Sequence, residues 1–215
     1  MEHNHNSKFE LTKSVVMHVT QRTKSKKDKN GHRPPLDRPL LVIGDRVIEE
    51  VQSFKYLGII INSQLQWKIQ AQKAIEKATK FVLQYQRLTK ITTGIRPSLM
   101  RTLYISTVLP KMTYGHDVWY TPPLKPAGSK KSKGSVSALR QMKRIQRIAT
   151  TVISGGLRTT PNELVDAHSN LMPIDLALLK ICHRATVRML TLPKSHPLHR
   201  HIHVAQISNP KKPLL

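Results

Sequence analysis

Phe54-Lys55-Tyr56-Leu57-Gly58-Ile59-Ile60-Ile61, followed by Asn62-Ser63-Gln64-Leu65 and Trp67, is where the chain changes character. The first eight residues form a run rich in β-branched and aromatic side chains, about as long as an ordinary strand, and Asn62-Ser63 reads as the turn that closes it. Gly58 removes a side chain in mid-strand: it marks a bulge or packing concession, or a place where another backbone or a ligand comes close. From Trp67 the period changes. Trp67, Ala71, Ala74, Ala78, Phe81, Tyr85 and Leu88 recur at spacings of four and three, which predicts the buried stripe of a long helix. Lys73, Lys77, Lys80 and Arg87 fall on an adjoining face.

Upstream, Val15-Val16-Met17-His18-Val19 predicts a strand, with Lys13 just before it. A lysine there suits an edge strand, where charge blocks pairing with another chain. Residues 21–38 are basic, polar and rich in turn formers, and read as a mobile loop. Leu40–Ile43, Gly44-Asp45 and Arg46–Ile48 predict a hairpin with a two-residue Gly-X turn. Together with 54–61 this predicts a small antiparallel sheet of three or four strands within residues 1–65.

Downstream the chain is helical. Thr92-Thr93-Gly94 ends the first helix, and Pro97 opens the next at a position where a missing N–H does no harm. Pro110 predicts a kink, because its ring clashes with the preceding turn. Tyr114 and Trp119 read as core aromatics closing a helical region over 66–121. Residues 122–135, PPLKPAGSKKSKGS, predict a linker.

The helix after the linker is the most sharply two-faced. Leu139, Met142, Ile145, Ala149, Val152 and Ile153 share one side, and Arg140, Lys143, Arg144 and Arg147 share another, within about 100° of arc. Like charges at those spacings repel by a few tenths of a kcal/mol per pair, and no acid on the helix offsets them. Gly155-Gly156 stops it, and Thr160-Pro161-Asn162-Glu163 predicts a capping box with Thr160 as N-cap. Pro173 opens a last long helix within 136–192, with Ile174, Leu178, Ile181, Ala185, Met189 and Leu192 inward and Lys180, Arg184 and Arg188 on another face. Residues 193–215 read as a proline- and histidine-rich tail.

The chain has 215 residues and a formal net charge of +24. Between Lys77 and Asn162 sixteen residues are basic and one, Asp117, is acidic. So one-sided a distribution points to a polyanion, and to nucleic acid before a membrane, since no apolar run approaches the ~20 residues of a spanning helix. No zinc finger, RRM signature or KH loop is present, so phosphate contact with little sequence preference is expected. Cys182 is the only cysteine, which excludes an intrachain disulfide and suits a reducing compartment. His196, His199, His201 and His203 lie close together but match no zinc spacing, and His116-Asp117 lacks the activated serine of a triad. No P-loop or dinucleotide motif occurs, and neither a metal nor a small-molecule ligand is expected.

KYLG at 55–58, LQWK at 65–68, and the LP…YG…W pattern over Leu109-Pro110, Tyr114-Gly115 and Trp119 resemble the palm-to-thumb junction and thumb of reverse transcriptases from non-LTR retrotransposons. The RTTP…LP…HPLH pattern toward the C-terminus resembles the fungal, LINE-like version, in which an RNase H domain often follows. The likeness covers roughly residues 7 to 203 and rests on short motifs in order, none of them catalytic. It implies an α+β, mostly helical chain: a palm-remnant sheet, then a basic thumb and connection region. It implies that Lys55, Tyr56, Leu57 and Gly58 belong to a primer grip, and that Lys13 (Lys8 is the second match) is the lysine assisting pyrophosphate loss.

The implied partner of the basic helices is an RNA–DNA primer–template duplex, alongside the remaining palm and RNase H regions, inside the cell and in the nucleus. Two-metal phosphoryl transfer needs converging carboxylates, and this sequence has no Asp-Asp pair; its adjacent acids, Glu49-Glu50, precede the KYLG strand. Magnesium would belong to the absent catalytic palm, and no catalytic residue is expected here. A stand-alone basic nucleic-acid-binding protein, or a module whose cations meet an acidic protein, are the other readings left open.

Overall fold

A computed structural model of the chain describes residues 13–19, 39–89, 94–125, 128 and 131–208. The chain divides into two compact units, Met1–Gln70 and Ala71–Leu215. The fold is mostly helical, with small two-stranded sheets. The predicted loop at 21–38, Lys8, the helix stop at Thr92-Thr93 and the end of the tail lie outside the described residues.

The first unit holds three short pairings. Strand β1 (Val15–Val16) runs parallel to β4 (Glu49–Glu50). Strands β2 (Val42–Ile43) and β3 (Arg46–Val47) form the predicted hairpin around Gly44-Asp45, with Gly44 at φ 60. The decisive stretch differs from its prediction: Phe54–Ile61 is not one strand. It folds into β5 (Ser53–Tyr56) and β6 (Ile59–Asn62), paired Phe54 with Ile61 and Tyr56 with Ile59. Leu57 at φ 46 and Gly58 at φ 84 make the turn. Two successive residues at positive φ match the right-handed twist of the flanking strands, and Gly58 takes the second position without steric cost. Because 53–62 pairs with itself, the expected single sheet resolves into two-stranded pieces, one of them parallel.

Among the described residues of this unit the buried apolar ones are Ile48 and Ile60, beside Ser63 and Gln70. The Gln70 side chain accepts the Ile60 amide at 2.9 Å, and Ser63 donates its hydroxyl to Gln52 at 2.9 Å.

Helix α1 (Lys68–Leu88) carries the predicted periodicity, but its buried stripe is rotated by about one residue. Ala74, Ile75, Ala78 and Val82 are buried, Phe81 and Tyr85 half-buried, and Leu88 exposed. Helix α2 (Pro97–Leu103) passes through a wider π turn, Tyr104–Val108, into α3 (Leu109–Met112). The expected effect of Pro110 takes this form. The Leu109 amide bonds back five residues to the Tyr104 carbonyl, so the backbone widens ahead of the proline ring. Met100, Tyr104, Val108 and Met112 face the core.

Gly115, at φ 60, re-aims the chain into α4 (His116–Trp119), and the Trp119 indole N–H donates to the Tyr114 carbonyl at 2.9 Å. Trp119 is buried as predicted; Tyr114 is exposed instead, because its backbone rather than its ring serves the turn.

The stretch read as a linker closes on itself. Leu124 and Lys133 exchange both backbone hydrogen bonds, and the Ser135 amide donates to the Thr121 carbonyl. Gly134, at φ 99, sits so close to that strand that a Cβ would meet the Pro122 carbonyl oxygen at 2.7 Å. The helices before and after this loop therefore pack together: α2 lies on α5 (Val136–Ser154), and α4 on α7 (Ile174–Leu190). Val82, Met100, Tyr104, Ala149 and Ile153 line one gap of about 10 Å³ where α1, α2 and α5 meet.

Gly155 ends α5 at φ 67, as expected. The capping box does not form. Helix α6 (Asn162–His168) starts one residue later than predicted, with Pro161 at the cap position and no side-chain cap. In α7, Cys182 is buried with Ile174, Leu178 and Ala185, while Met189 is exposed. The expected tail contains a further helix, α8 (Pro197–Ser208), which packs on α7. The His196 imidazole accepts the Leu198 amide at its start, and Pro197 needs no partner there.

Candidate nucleic-acid interface

The cations of α1 lie where a polyanion could reach them. The buried side of the helix is built by Ala74, Ala78 and Val82; Lys73, Lys77, Lys80 and Arg87 project from the opposite side and are all exposed. Glu76, the only acid on this helix, is held by Gln72 at 2.8 Å.

Helix α5 divides its four cations into two pairs. Ala138, Met142, Ile145, Ala149 and Ile153 set the buried direction. At 100° per residue Arg140 points directly away from it; Arg147 and Lys143 lie about 20° and 60° off that line toward Gln146 and Thr150, and Arg144 about 40° off it on the other side. The flank of Gln146 and Thr150 faces α6 and α7, and Lys143 and Arg147 are engaged there. The Lys143 ammonium meets the Asp175 carboxylate at 2.7 Å. Arg147 donates to the carbonyls of Arg158 (2.9 Å) and Thr160, holding the chain between α5 and α6. Thr160 thus meets α5 through its carbonyl, one residue ahead of the Pro161 cap position. Among the described residues, Arg140 and Arg144 are exposed and have no ion-pair partner.

Other cations are likewise spoken for. Arg101 donates to the Asn170 carbonyl at 2.9 Å, Lys111 sits 4.6 Å above the Phe81 ring, and Arg188 meets Asp117 at 3.5 Å. Of the eight basic positions expected on α1 and α5, six have no hydrogen-bond or ion-pair partner among the described residues.

Three of the five acids of the second unit gather elsewhere. Glu163, Asp166 and Asp175 line a cleft of about 350 Å³ with Lys143, Gln146 and Arg147. Burial pushes the Asp166 carboxyl above its ordinary range against the opposing hydrogen bond from Gln146. For Asp175 burial also pushes upward, but the hydrogen bond and charge of Lys143 and the Leu176 amide outweigh it and leave the carboxyl below its ordinary range. Periodicity hid this cleft: Gln146 is a polar residue at a buried helix position, and its partners, Asp166 and the Met172 carbonyl, come from elements distant in sequence.

The KYLG residues occupy the end of the β5–β6 hairpin. Lys55 and Tyr56 close strand β5, and Leu57-Gly58 form the tip. All four are exposed, Leu57 at 74% and Tyr56 at 60%. Lys13 is exposed immediately before β1.

His116 is fully buried, stacked on Tyr120 at 4.0 Å between centroids and edge-on to Trp119, and neither ring nitrogen has a partner. Burial lowers its pKa to about 4. It packs as a neutral aromatic ring. No cluster able to hold a metal is found among the described residues, and none of their helices is long and apolar enough to cross a membrane. Comparison of the chain with protein-family models, with curated proteins and with solved structures finds no match.

Proposed function

We propose that this chain is the end of the palm, the thumb and the connection region of a non-LTR retroelement reverse transcriptase, gripping a primer–template duplex without supplying the catalytic carboxylates. The observation that carries the reading is the outward stripe of Lys73, Lys77, Lys80 and Arg87 on α1, repeated by Arg140 and Arg144 on α5, while three of the five acids of the same unit, Glu163, Asp166 and Asp175, line a cleft. Exposed cations with no ion-pair partner among the described residues stay hydrated and available, and phosphates are their natural counter-charge. The reading also uses the KYLG tip, which offers a lysine, an aromatic ring and an exposed leucine at one hairpin end. Its setting would be intracellular and nuclear, where target DNA is.

The other reading, a stand-alone basic nucleic-acid-binding protein, is favoured by the lack of any Asp-Asp pair in the sequence. The two readings part on the primer end. A primer grip should prefer an RNA–DNA hybrid with a recessed DNA 3′ end over a blunt hybrid of equal length, measured by fluorescence anisotropy. Lys55→Gln with Tyr56→Ser should remove that preference and leave blunt-hybrid binding intact. Equal affinity of the parent for both hybrids would favour the stand-alone reading. Under either reading the purified chain should not extend a primer, and template-dependent incorporation would contradict both.

A further inference from the structure

Helix α7 is apolar on two opposite sides. Ile174, Leu178, Cys182 and Ala185 face the core. Leu176, Leu179, Val187 and Leu190 face the other way, 54%, 39%, 59% and 44% exposed, with exposed His183 among them. Counted from Leu176 these fall at i, i+3, i+7, i+11 and i+14, one narrow stripe within about 80° of arc. A helix that is apolar all round normally has both sides covered. One edge of the stripe is lined by Lys180 and Arg184, exposed and without ion-pair partners among the described residues.

We propose that this stripe is a docking surface for an amphipathic helix of another protein whose leucine-rich face is flanked by glutamate or aspartate. Charge selects the occupant. A second copy packed antiparallel about a two-fold axis would set Lys180 and Arg184 against their own counterparts, between chains of net charge +24. Of the stretches of this chain outside the described residues, 20–38 and 209–215 are basic and 1–12 holds a single leucine, so none carries an acidic, leucine-rich face. An acidic helix satisfies the leucines and the cations at once, by the helix-on-helix mode of recognition.

The test uses the full chain and a fluorescein-labelled synthetic helix with leucines at i, i+3, i+7, i+11 and i+14 flanked by glutamates. Control peptides carry serines in place of the leucines, or lysines in place of the glutamates. The acidic leucine peptide should bind at least tenfold more tightly than either control. Leu176→Gln with Val187→Gln should abolish that advantage without changing affinity for an RNA–DNA hybrid. Lys180→Glu with Arg184→Glu should shift preference toward the lysine-flanked peptide. All these positions are exposed, and circular dichroism verifies that each variant is folded; a single Val187→Gln variant serves if the double one is not.

Equal binding of the serine control, which would mean bulk charge attraction alone, overturns the proposal. So does a loss of hybrid binding in parallel with peptide binding, or sedimentation showing a dimer of the parent that the glutamine variant disrupts.

Discussion

Arg147 and Arg144 are three residues apart on one helix and have the same charge, yet the fold uses them differently. The Arg147 guanidinium donates to the Arg158 and Thr160 carbonyls, so Arg147→Gln releases acceptors in the connection between α5 and α6. A cost of about 2 kcal/mol in urea unfolding is expected, since hydrogen bonds from a charged donor contribute roughly 1.5–3. Arg144→Gln should change stability by less than about 0.5 kcal/mol.

His116 gives a second residue-scale prediction. Its pKa is about 4 in the fold, against an ordinary 6.5. The unfolded chain therefore takes up a proton first as pH falls, and stability attributable to this residue drops from above pH 6.5 down to about 4 and is flat below. The full loss is roughly 3 kcal/mol. His116→Phe, which keeps a stacked ring beside Tyr120, should remove that component; identical pH profiles for variant and parent would refute it.

Leu57 is the third such residue. A leucine at φ 46 is strained by about 1 kcal/mol, and asparagine fits the first position of such a turn better. Leu57→Asn should stabilise the first unit by about that amount while weakening the preference for a recessed primer end. A gain in stability with primer preference unchanged would make the leucine incidental.

At the scale of elements, the sequence was most informative where one period dominates. Helices α1, α5 and α7 and the Gly44-Asp45 hairpin could be read from spacing and turn chemistry. The 54–61 run could not, because a run of eight residues rich in β-formers with one glycine in it satisfies one long strand and two short ones equally, and a lone mid-strand glycine reads as a bulge. The linker reading failed for a related reason: a polar Pro/Gly/Lys/Ser composition reports that little is buried, and is silent on whether the ends meet. The two duties of the α5 cations were hidden because which flank faces a neighbour is a tertiary fact.

In the β2–β3 hairpin Val42 and Val47 are exposed at 55% each and Leu40, just before it, at 71%, and the two short strands pair with no third strand among the described residues. Unpaired strand edges template pairing with another chain. Val42→Lys with Val47→Thr should therefore reduce aggregation at micromolar concentration, as followed by light scattering; unchanged scattering would place the association elsewhere.

On the scale of the whole molecule, charge is the organising quantity. The net +24 is not spread evenly over the described surface: acids accompany the braced cations around the α5–α6–α7 cleft, while the cations of α1 share the helix with Glu76 alone and Arg140 and Arg144 on α5 have no ion-pair partner among the described residues. The salt dependence of duplex binding reads that division directly, because each neutralised phosphate adds about 0.9 to the slope of log K against log salt on B-DNA. Replacing Lys73, Lys77, Lys80, Arg140 and Arg144 by glutamine should flatten the slope by about 3 to 4.5, with circular dichroism unchanged. Lys143→Gln, whose ammonium is already paired with Asp175, should leave it where it was. A slope unchanged in the five-site variant, or flattened as much by Lys143→Gln as by Arg144→Gln, would contradict the account.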